Sequence, residues 1–107
     1  MSWDLWREAD LKPVFTFTLR PRLIQAGIGV KLLCCLSGKP TPKVVWFKGG
    51  HEIDERNPHY LVSYNCGVCT LEIPSCSVED TGTYSCKAEN PLGMDQTSCV
   101  LSIEGKI

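Results

Sequence analysis

Cys66-Gly-Val-Cys69 is the first place in this chain where chemistry is conceivable. A CxxC can be a redox dithiol or half of a zinc site. Here the odd spacing on an extended chain sends the two sulfurs to opposite faces. No second CxxC follows, and His51 and His59 lack the short His-x3–5-His spacing of a zinc ligand pair. The segment is therefore expected to be a turn cysteine beside a core cysteine, with no metal and no cofactor. Nucleophilic catalysis fares no better. There is no G-x-S-x-G, and both histidines sit in polar loop text. The carboxylate pairs Asp54-Glu55 and Glu79-Asp80 are adjacent in loops rather than opposed across a cleft. No glycine loop for phosphate and no basic-aromatic stripe is present. The domain is expected not to be an enzyme, although a larger parent can carry a kinase.

Composition narrows the class further. The chain has 107 residues, of which 43% are hydrophobic, enough for one packed core. Eleven Lys and Arg against 12 Asp and Glu leave a net charge of −1, so neither nucleic acid nor a membrane surface is an expected partner. No run of about eighteen apolar residues could span a bilayer. The charged first ten residues carry no apolar leader segment. Seven cysteines, an odd number, and the lack of any Asn-x-Ser/Thr sequon point to a reducing, cytoplasmic compartment. There cysteine serves as a small hydrophobe.

These residues must be positioned by strands. Val30, Leu32, Cys34 and Leu36 alternate with polar neighbours and share one face, so Cys34 rather than Cys35 points inward. Val44 and Trp46, then Cys69, Leu71 and Ile73, then Cys99, Leu101 and Ile103, repeat the pattern. The expected strands are 12–17, 23–25, 30–36, 43–48, 51–53, 60–64, 68–73, 82–89 and 97–104. Asn65-Cys66-Gly67 reads as a tight turn, Gly49-Gly50 as a hairpin, and Asn90–Gly93 as a loop. Ser75–Asp80 forms a corner with Cys76 inward. The order Cys34…Trp46…Asp80-x-Gly82-x-Tyr84-x-Cys86 is the pattern of an all-β, immunoglobulin-like two-sheet sandwich. In that frame Cys34 and Cys86 face each other across the sheets, as thiols or a disulfide, and Trp46 packs against them. The Tyr84 hydroxyl bonds back to the corner backbone.

The text Gly38-x-Pro40-x-Pro42-x-Val44-x-Trp46-Phe-Lys48, Leu71-x-Ile73 and Asp80-x-Gly82-x-Tyr84-x-Cys86-x-Ala88-x-Asn90-x-x-Gly93 resembles an intermediate-set (I-set) immunoglobulin domain. The resemblance spans 13–104 and is to the intracellular muscle and cytoskeletal class of titin, obscurin, myomesin, myosin-binding protein C, palladin and the muscle kinases. It implies a domain over 12–105, with 1–11 a linker or tail and 106–107 a C-terminal linker. It implies a structural, protein-binding module acting as spacer, mechanical element or docking site in the sarcomere or cytoskeleton. Its partners would be neighbouring immunoglobulin or fibronectin modules or filament proteins. The alternative is an extracellular adhesion or receptor domain, which shares the motif. The expected interaction edge is the first strand, Val14, Phe15 and Phe17, with Trp3 and Trp6 in the tail before it. The last strand is the second choice.

Overall fold

A computed structural model describes residues 10–105. Trp3, Trp6 and the 106–107 linker fall outside them. Nine strands form in chain order: β1 Leu11–Phe17, β2 Arg22–Gln25, β3 Val30–Lys39, β4 Lys43–Lys48, β5 His51–Glu52, β6 Leu61–Asn65, β7 Val68–Ile73, β8 Gly82–Asn90 and β9 Gly93–Glu104. They lie in two sheets, ordered β1-β3-β7-β6 and β2-β9-β8-β4-β5. The expected strands are all present, with longer ends at two places. β8 and β9 run up to a two-residue turn at Pro91-Leu92, because Asn90 pairs directly with Gly93. β3 continues to Lys39, where it pairs with Leu11.

Alternation explains the core. The inward sets of β3, β7 and β9 are all buried, as is Trp46, while Val44 is only partly so. Removing this apolar surface from water drives the two sheets together. Cys76 fills the corner beneath a 3-10 turn, Val78–Asp80. Two sharp reversals set strand register. Gly49 and Gly50 both take positive φ between β4 and β5. Cys66 (φ 51°) and Gly67 (φ 79°) form the two-residue turn between β6 and β7, the geometry of a primed hairpin.

The terminal strands run in a particular way. β1 pairs antiparallel with β3 in one sheet. After residues 18–21 the chain crosses to the other sheet. There β2 pairs parallel with β9, Arg22 opposite Leu101 through Gln25 opposite Glu104. The last strand is therefore not a free edge over its C-terminal half.

Candidate functional site

Three cysteines meet in the centre of the sandwich. Cys34 and Cys69 are direct cross-strand partners on β3 and β7. Cys86 comes from β8 in the opposite sheet, where its own partner is Trp46. The three sulfurs all lie within 4.8 Å of one another, and all three residues are fully buried. The pattern of alternation placed Cys69 inward but could not pair it with Cys34, because the β3–β7 register is set by long-range packing.

Each thiol shifts the next. Cys34 is pushed up to about 12, chiefly by its hydrogen bond to Cys69 and then by burial. Cys86 is also raised, by its bonds to Cys34 and Cys69 ahead of burial. Cys69 is held low, because both neighbours donate to it. Among the described residues this is the one group that brings three metal-ligating atoms together. It is closed to water, and loading a cation would require deprotonating thiols in an apolar core, at high cost. The expected Cys34–Cys86 pair thus has a third thiol within 4.8 Å of both sulfurs. The Cys66-Gly-Val-Cys69 pair is split as expected, with Cys66 exposed in the turn and Cys69 buried.

The corner is a second organised cluster. Asp80 is buried beneath it, and its Oδ2 accepts from the Ser77 amide at 2.8 Å. Its Oδ1 lies 2.6 Å from His59 Nε2, which ties the 53–60 loop to the corner. The Tyr84 hydroxyl donates to the Asp80 carbonyl at 2.7 Å. Burial, with the charge of Asp80 and the neighbouring Tyr60 adding to it, raises the Tyr84 phenol well above its ordinary value. Trp46 is buried too, yet its Nε1 is the one buried side-chain polar atom without a partner among the described residues. The His59, Ser77 and Tyr84 contacts to Asp80 tie the loop, the 3-10 turn and β8 together. A concavity of about 760 Å3 is an open trough lined by Leu11, Leu36, Pro42, Tyr64 and Cys66 among others.

Three side chains of β8 and β9 reach the backbone of the first segment. Asn90 Nδ2 donates to the Leu11 carbonyl at 2.8 Å. The Phe15 amide donates to Asp95 Oδ2 at 2.9 Å. The Leu19 amide donates to Thr97 Oγ1 at 3.1 Å. β8 and β9 thus stitch the first segment to the second sheet. Phe15 points into the core, so Val14 and Phe17, together with Leu11, carry the exposed apolar area of β1. Register shifts between Leu11 and Val14 and between Phe15 and Phe17 further break the edge.

The immunoglobulin I-set domain family model matches residues 13–103. Myosin-binding protein H of Gallus gallus is 41% identical over 92 residues, covering 86% of this chain and 17% of that protein. Fast-type myosin-binding protein C of Mus musculus is 40% identical over 100 residues, covering 92% of this chain and 9% of that protein. The chain therefore spans less than a fifth of either relative. The solved titin domains z1z2 in complex with telethonin superpose with a TM-score of 0.89 at 28% identity, over 92% of this chain and 51% of theirs. With the Cys34–Trp46–Cys86 core, the Asp80–Tyr84 corner and this match over nearly the whole described chain, the chain belongs to the immunoglobulin I-set domain family.

Proposed function

We propose that this domain, residues 12–105, is a load-bearing spacer and docking module of a larger sarcomeric or cytoskeletal protein. One observation carries the reading: the chain enters and leaves at opposite ends of the sandwich. Leu11 is held beside Asn90, at the β8–β9 turn. The exit at Glu104 lies against Gln25 at the far end. Tension between neighbouring domains therefore runs along the strands. It loads the parallel β2–β9 hydrogen bonds together, in shear, instead of opening them one by one. The Ala26 amide to Glu104 carbonyl bond, 2.8 Å, is the last of that row.

The relatives support the cellular setting. Two are named as myosin-binding proteins, and one solved neighbour is a titin pair bound to telethonin. A partner for this domain is accordingly another protein module or filament protein, and its place is the cytoplasm. The odd number of thiols favours this over the extracellular reading.

Single-molecule pulling on a tandem array tests the proposal. Ile24→Pro removes a β2 amide from the row; Ile24→Ala loses the packing but keeps the amide. The proline variant is expected to unfold at distinctly lower force than the alanine variant. Equal forces for the two would remove β2–β9 from the load path.

A further inference from the structure

We propose that the free edge of β6 is a docking edge for a second copy of this chain, the two β6 strands pairing antiparallel about a two-fold axis at Ser63. An edge strand offers unpaired amides and carbonyls, and proteins usually blunt it with charge, proline, bulges or brevity. Among the described residues three of the four edges are blunted. β1 is bulged, carries Pro13 and is stitched by Asn90 and Asp95. β2 has four residues and leads with Arg22. β5 has two.

β6 has none of these devices. Its sequence, Leu-Val-Ser-Tyr-Asn, holds no charge, proline or glycine. Its register with β7 is unbroken from Leu61–Glu72 to Asn65–Val68. The turn between them dictates which groups are free. A two-residue hairpin closes on a hydrogen-bonded pair, here Asn65 and Val68, and hydrogen-bonded pairs then alternate. Ser63 and Leu61 thus bond inward to β7, while the amides and carbonyls of Val62 and Tyr64 point to the free side. Among the described residues no turn or loop backbone group bonds to those four.

The strand is self-complementary about its centre. Pairing at Ser63 sets Val62 against the Tyr64 of the other copy, twice, each pair exchanging two N–H···O bonds. These are β-branched–aromatic pairs, among the favourable cross-strand combinations. Val62 and Tyr64 already pack partly against the core, so the joined edge extends that apolar layer. Leu61 meets Asn65, Ser63 meets Ser63, and no like charges oppose. A net charge of −1 gives little general repulsion to overcome.

Sedimentation of the purified chain in reductant, across a micromolar-to-millimolar series, tests the proposal. A monomer–dimer equilibrium is expected. Ser63→Lys sets two ammonium groups face to face in a close, non-hydrogen-bonded pair and is expected to weaken the dimer roughly tenfold or more. Thr16→Lys, on the stitched β1 edge, is expected to leave it unchanged. Hydrogen exchange gives a second readout: Val62 and Tyr64 amides should slow as concentration rises, while that of Ser63 should not. A monomer throughout the series, equal effects of the two lysines, or concentration-independent exchange at Val62 and Tyr64 would each overturn the β6 interface.

Discussion

Trp46 offers the sharpest test of the core, through two substitutions that separate its volume from its polar atom. The residue is 2% exposed and packs against Cys86. A buried tryptophan removes about 150–250 Å2 from water. At about 25 cal/mol per Å2 that is about 4–6 kcal/mol, an upper figure because the unfolded chain is partly collapsed. Truncation to alanine is then expected to cost about 3–5 kcal/mol. Phenylalanine keeps most of the apolar body. It also removes the Nε1–H, which finds no acceptor among the described residues. An unsatisfied buried donor costs about 1–3 kcal/mol in the folded state. Its removal offsets part of the lost packing, so Trp46→Phe should cost below about 1.5 kcal/mol. Urea melts in reductant, extrapolated to water with m compared across variants, measure both. A loss under about 1 kcal/mol for Trp46→Ala would refute the two-sheet core assignment. A Trp46→Phe loss equal to that of Trp46→Ala would show that the indole nitrogen is bonded after all.

Two further outcomes follow from local geometry. Tyr84 is raised by burial, so the folded state holds its proton above the ordinary value of 10.0 at which the unfolded chain releases it; stability present below that pH should decline as pH rises past it. Urea midpoints at neutral and alkaline pH should show a shallower alkaline decline in Tyr84→Phe, which is itself less stable at neutral pH by about 1–3 kcal/mol for the stranded Asp80 carbonyl. At the turns, Gly67→Ala would bring a Cβ to 2.7 Å from the Leu36 carbonyl oxygen at φ +79°, whereas Gly49 (φ +57°) has nothing within 4 Å; thermal melts should show the Gly67 variant losing more than Gly49→Ala, which pays the backbone strain of about 1 kcal/mol alone.

Much of this protein was legible in its residues because the information was local. Alternation placed Val30, Leu32, Cys34 and Leu36 on one face, and the period of two leaves no other choice for an extended chain with one buried side. The turn after β6 announced itself through Gly67, which takes positive φ freely, although Asn65 ends the strand and Cys66 takes the other positive-φ position. Asp80-x-Gly82-x-Tyr84-x-Cys86 marked the corner for the same reason, since its hydrogen bonds span only a few residues. What the sequence left open depends on register between strands far apart in the chain. Cys69 was inward by alternation, but only the β3–β7 pairing sets it against Cys34 and turns an expected pair of thiols into three. Asn90 and Leu11 are 79 residues apart, and Phe15 and Asp95 are 80 apart. No pattern in either segment signals that these side chains bond to the first strand. The expected β1 edge is therefore partly engaged by side chains from the second sheet, whereas β6 carries no charge, proline or bulge. Local propensity determines what each strand is; long-range packing decides which of its hydrogen-bonding groups are still unspent.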